Sequence, residues 1–198
     1  LTSAGFDALG IGSMEEPGFL REAGIELPMY FDQGMYSWNH LAGAAMERYG
    51  ADRLTIPVEL NEREIRDSGV QGEMIVYGYL PMMISAQCIR KTTLGCSGKP
   101  EIMWLKDRKD MRFPVVNQCR FCYNTIYNSA PLSLLGLSEQ VTGLKPNAVR
   151  LNFTVEEPAA AGEILDAFFE EYGMSEKAAE PPVLRNQFTR GHFKRGVE

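Results

Sequence analysis

"IELPMYFDQGMYSWNHLAGAAMERYGADRLTIPVEL", residues 25–60, decides the fold. Its first third, "IELPMYFD" (25–32), is a short apolar run and predicts a strand. "SWNHLAGAAMERYG" (37–50) carries apolar residues at helical spacing, with Ser37 placed to cap it and Gly50 to stop it. "DRLTIPVEL" (52–60) is β-branched and apolar again, and predicts a second strand. Strand, helix and strand within about 35 residues is the rhythm of a βαβ unit with parallel strands.

The same rhythm extends both ways. Upstream, "DALGIGS" (7–13) predicts a strand, and "EPGFLREAG" (16–24) a helix with Pro17 near its start and Gly24 at its end. Downstream, "NEREIRDSG" (61–69) predicts a short helix opened by Asn61 and closed by Gly69, and "GEMIVYGYLPMM" (72–83) a fourth strand. The rhythm breaks over 88–135 and resumes with a strand in "NAVRLNFTVE" (147–156) and a helix in "PAAAGEILDAFFEEYG" (158–173). "SEKAAEPPVLRN" (175–186) is expected to be a loop. Within the break lie a charged turn, "LKDRKDMRF" (105–113), and two short antiparallel strands, "FPVVNQC" and "CYNTIYN". Three segments result: βα repeats in 1–87, an insertion in 88–135, and a last βα unit with a basic tail in 136–198. Five parallel strands fit either a small doubly wound sheet or part of an eight-stranded barrel. Half a barrel has open edges, so an earlier part of the protein, or a second copy, is expected to cover them.

The 198 residues are 44% hydrophobic and 23% charged, enough apolar content for a real core, and no apolar run is long enough to span a membrane. The opening "LTSAGFDALGIGS" has no basic region leading an apolar stretch, so no secretory leader is expected, and a cytoplasmic setting follows. Net charge is −6, which argues against general nucleic-acid binding. The charge is uneven. Residues 88–122 hold eight Lys/Arg against Glu101, Asp107 and Asp110, a net +5, which leaves −11 elsewhere.

All four cysteines fall in that basic segment: Cys88, Cys96, Cys119 and Cys122, spaced C-x7-C-x22-C-x2-C. A C-x2-C pair lets two sulfurs reach one centre, and two further thiolates complete a tetrahedral Zn²⁺ site or the corners of a 4Fe-4S cluster. Structural zinc sites use two tight pairs, and here one pair is loose, which leans towards iron–sulfur. Neighbouring Lys and Arg are expected to lower the thiol pKa values and to offset the charge of four thiolates. The plain alternatives are free core cysteines or disulfides.

"IVYGYLPMMISAQC" (75–88), "LKDRKDMRFPVVNQCRFCYNTIYN" (105–128) and "FTRGHFKRGVE" (188–198) resemble the collagenase-like peptidase family, the U-thirty-two group of unassigned catalytic type. "YFDQGMYSWNHLAG" (30–43) and "RLTIPVEL" (53–60) resemble the barrel strands that precede its cysteine motif. The resemblance implies an α/β fold, a partial TIM-like (βα) barrel comprising the C-terminal half, with the cysteine-rich insertion before the last strand. It implies that Cys88, Cys96, Cys119 and Cys122 hold a 4Fe-4S cluster. It also implies either peptide hydrolysis, as the family's label says, or oxygen-independent hydroxylation of RNA or a small aromatic ring. A zinc-stapled, non-catalytic binding module is the third possibility.

In a barrel the chemistry sits at the C-terminal ends of the strands. There the sequence places Asp32 and Gln33, Glu59, Tyr77 and Tyr79, and Asn152. Glu59, where an apolar strand meets its loop, is the candidate base or ligand-orienting group; a surface acid is the plain alternative. Asp32 and Asn39 are candidate substrate contacts that helix capping also explains. Of the two histidines, His40 lies on a helix and His192 in the tail, and neither belongs to an H-E-x-x-H or G-x-S-x-G motif. Aromatics among cations in 185–198, with the basic residues of 88–122, suit an anionic substrate or RNA.

Overall fold

The computed structural model describes residues 5–174 and 187–196; the loop expected over 175–186 lies outside them. Its contacts divide the chain into two units, Leu1–Val76 with Leu137–Arg150 and Arg190–Glu198, and Tyr77–Gly136 with Leu151–Thr189.

The first unit is built on β1 (Leu9–Ile11), β2 (Met29–Phe31) and β3 (Arg53–Leu54), parallel and in chain order. A parallel bridge from Thr55 to Glu73 continues that order to β4 (Glu73–Gly78). Between the strands run α1 (Glu16–Glu22), α2 (His40–Tyr49) and α3 (Glu62–Ser68). Ile11, Leu20, Phe31, Met35, Leu54 and Val70 form the core between sheet and helices.

The local signals act as their chemistry dictates. Gly50 ends α2 at φ +114, where a side chain would be strained. Asn61 and Glu64 close a reciprocal capping box on α3. One expectation is corrected: Asn39, not Ser37, caps α2, accepting the Ala42 N–H at 3.0 Å. Ser37 is buried and donates its hydroxyl to the Thr55 carbonyl instead. The tail segment returns to this unit: the Phe193 carbonyl accepts the Glu62 N–H at 2.8 Å, and the Phe193 ring is buried.

The second unit holds a four-stranded antiparallel sheet, in the order β5 (Pro81–Ser85), β8 (Tyr123–Tyr127), β7 (Arg112–Gln118), β6 (Ile102–Lys106). The five-residue helix α4 (Ile89–Thr93) lies between β5 and β6. The expected pairing of "FPVVNQC" with "CYNTIYN" is the β7–β8 hairpin, with Val115 fully buried. The single strand expected over 72–83 is two strands. Gly78 sits at φ +152 against the backbone of Asn152, and the chain turns there to enter β5. The charged turn is shorter than expected, because Leu105 and Lys106 belong to β6. Asp107 closes it by accepting the Lys109 and Met111 N–H groups at 2.7 and 2.9 Å.

β9 (Leu132–Ser133) pairs with Tyr77 and Gly78, and the second three-stranded sheet has the order β10-β4-β9, with β10 at Ala148–Asn152. Helices α5 (Ser138–Gly143) and α6 (Pro158–Glu171) complete the chain; α6 buries Ile164, Ala167 and Phe168. The fold is thus mixed α/β, and among the described residues its strands form three sheets and no closed barrel. No helix of the described residues is long and apolar enough to cross a membrane.

Candidate metal centre

Each cysteine owes its place to a local device. Cys119, Arg120, Phe121 and Cys122 are the four-residue connection between β7 and β8, whose last pair is Gln118 with Tyr123. The Phe121 N–H closes this turn on the Gln118 carbonyl at 3.0 Å, and Cys122 takes the left-handed conformation at φ +56. A C-x2-C in such a turn brings both Cβ atoms to one end of the hairpin. Cys88 caps α4, its sulfur facing the Lys91 N–H at 3.5 Å. Cys96 lies on the exposed loop between α4 and β6. That loop meets the hairpin where the Cys119 thiol donates to the Lys99 carbonyl at 3.0 Å. An ion pair from Arg90 to Glu101, 3.3 Å, ties α4 to the end of the same loop.

All four thiols are free, none joined as a cystine. Cys119 is the hub: burial pushes its thiol pKa up first, and the charges of Cys96, Cys88 and Cys122 follow, with Glu101 last. The expected lowering by Lys and Arg is therefore not met at Cys119; desolvation and three neighbouring thiols outweigh the basic residues. Among the described residues no three His, Cys, Asp or Glu side chains stand in metal-ligating geometry, so the set is gathered but open. In kind it fits a four-thiolate centre, with Arg90, Lys91, Lys99 and Arg120 close in sequence to offset its charge.

The other candidates lie elsewhere. Asp32 caps the 3-10 turn that follows β2, accepting the Gln33 N–H at 2.8 Å, and pairs with Arg150 at 2.6 Å. Arg150 also reaches Glu73 at 3.2 Å. Asn39 is occupied as a cap. Glu59 is half-buried in the turn after β3. His40 is exposed at the start of α2, and His192 holds the Gly196 carbonyl through Nδ1 at 2.7 Å in the tail turn. Tyr77 is buried, with its ring 5.7 Å from that of Phe153. Asn152 ends β10 with its backbone against Gly78.

Sequence reasoning missed four residues: Arg150, Glu156, and the asparagines Asn117 and Asn124. The last pair had a visible signal, since "NQCRFCYN" (117–124) flanks its cysteines symmetrically with asparagine.

The tyrosines near Glu156 carry a pH consequence. Tyr77, Tyr79 and Tyr127 are all raised, by burial first; the Glu156 charge adds to each, after Tyr123 in the case of Tyr127. Tyr172 is pushed up to about 12 by burial and then by Glu171. An unfolded phenol ionises near pH ~10, and these folded phenols do so later. Between the two values the unfolded chain has lost protons that the folded chain keeps. Stability is therefore full below about pH 10 and falls as pH rises further. Urea midpoints at about pH 8 and about pH 11 are expected to show a clear drop at the higher value; equal midpoints would contradict it.

No family model, curated protein or solved structure matches this chain.

Proposed function

We propose that this chain is an iron–sulfur protein of the collagenase-like peptidase type, in which Cys88, Cys96, Cys119 and Cys122 hold a 4Fe-4S cluster. One observation carries it: four free thiols from three separate chain segments gather around Cys119. The parallel, chain-ordered strands β1, β2 and β3 support a partial barrel as the scaffold. When bound, the cluster would supply one-electron chemistry, serving oxygen-independent hydroxylation of RNA or a small aromatic substrate. The chain's own contribution is to gather the thiols, to shield Cys119 partly from water, and to surround the site with cations. Those cations would draw an anionic substrate. Cys96 and Cys122 are exposed, and Cys119, half-buried and bonded to the Lys99 carbonyl, is the anchor.

The test is anaerobic isolation or reconstitution of the full chain, with iron, acid-labile sulfide and zinc analysis. About four irons and four sulfides per chain are expected. Zinc without sulfide would replace the cluster by a zinc staple, and a chain that takes up neither would end the proposal. Cleavage of gelatin by the metal-free chain, lost in Glu59→Gln, would favour peptide hydrolysis instead.

A further inference from the structure

Asparagine is a poor strand residue, and burying its amide is costly unless every polar atom finds a partner. Yet Asn117 and Asn124 face each other near the turn end of the β7–β8 hairpin, both fully buried. Each holds a cysteine-bearing segment. The Asn117 side-chain oxygen accepts the Glu101 N–H, and the Asn117 N–H returns a bond to the Glu101 carbonyl at 3.2 Å. That fixes the end of the loop that carries Cys96 and supplies the Lys99 carbonyl to Cys119. The Asn124 amide nitrogen donates to the Gln87 carbonyl at 2.8 Å, and Gln87 immediately precedes Cys88. The hairpin itself carries Cys119 and Cys122, two residues after Asn117 and two before Asn124. One donor and one acceptor are left over, Asn117 Nδ2 and Asn124 Oδ1, on directly opposed residues.

Resting on the cysteine centre proposed above, we infer that Asn117 and Asn124 are its positioning residues, a buried amide clamp that sets the spacing of all four thiols. The leftover donor and acceptor are complementary. Joining them makes one continuous path from Gln87 through Asn124 and Asn117 to Glu101. Such a path stiffens both loops against the hairpin as the thiols close on a metal. Groups that orient metal ligands from behind alter metal affinity by about 10- to 100-fold when removed.

The experiment titrates the full chain with Co²⁺ under anaerobic conditions and follows the sulfur-to-cobalt charge-transfer bands. Asn117→Leu and Asn124→Leu, close to asparagine in volume, are expected to weaken Co²⁺ binding about 10- to 100-fold. Metal-free circular dichroism and urea midpoints report separately on folding. A chemically directed pair covers a folding failure of the Leu variants. Asn117→Asp keeps an acceptor for the Glu101 N–H and loses only the donor that is unbonded in this structure, whereas Asn124→Asp exchanges the donor already bonded to Gln87 for an acceptor. Binding is expected to be tighter in Asn117→Asp than in Asn124→Asp. Equal loss in both Asp variants, or unchanged affinity in folded Leu variants, overturns the inference. A wild-type chain that shows no thiolate–cobalt bands overturns the cysteine centre itself, and the clamp with it.

Discussion

Cys119→Ser is expected to keep the hairpin sheet and lose the centre. The sheet does not depend on this thiol: β7 and β8 pair in register from Val115 with Ile126 to Gln118 with Tyr123, over a fully buried Val115. The proposed centre does depend on it, because Cys119 feels the charges of all three other thiols and is bonded to the loop beyond Cys96. Iron and sulfide are expected at background in this variant, with the far-ultraviolet circular dichroism unchanged. Cys96→Ser, on an exposed loop, is expected to retain a weaker, sub-stoichiometric load. Loading has a predictable pH sense. A thiol must lose its proton to become a ligand, and burial and neighbouring thiols make that harder at Cys119. Uptake should therefore strengthen as pH rises through the neutral range. Full iron content in Cys119→Ser would remove this residue from the centre.

Gly78→Ala is the second large effect. The φ of +152 is one that side chains avoid, and an added Cβ would stand 2.5 Å from the Asn152 carbonyl oxygen and 2.9 Å from its Cβ. Both obstacles are backbone or backbone-attached, so neither yields cheaply. Conformational strain and overpacking each cost about 1–3 kcal/mol, so a loss on the order of 3 kcal/mol is expected. Gly18→Ala is the control. Gly18 lies within α1, with nothing within 4 Å of an added Cβ. There alanine is expected to stabilise by about 0.5–1 kcal/mol through helix propensity. Urea melts compare the two directly. If Gly78→Ala melts no earlier than Gly18→Ala, the close approach to Asn152 is not a constraint.

What the sequence made legible was local. Gly50 and Gly69 end helices by taking the left-handed conformation, and Asn61 with Glu64 opens α3 within one turn. These devices act over three or four residues, so a linear reading finds them. The mixed α/β class followed from such local signals, repeated. The break at Gly78 was not legible, because it is imposed by Asn152, far along the chain. Nor was the role of Asp32, whose partner Arg150 lies 118 residues away. β6 was hidden because its apolar run, Ile102–Leu105, is short and leads directly into the charged turn Asp107–Asp110. For the centre, the thiols' identity and grouping were in the sequence. The clamp behind them needed the hairpin register, which sets Asn117 opposite Asn124.

The pairing of Arg150 with Asp32 and Glu73 also fixes a chronology of synthesis. The ion pairs of Asp32 and Glu73 wait until a ribosome has added Arg150, and the Glu62 contact with Phe193 waits longer still. The β5–β8 sheet, all of whose partners lie between Pro81 and Tyr127, needs no such delay. The thiol-bearing hairpin can therefore be shaped while the parallel strands that opened the chain still wait for their last partners.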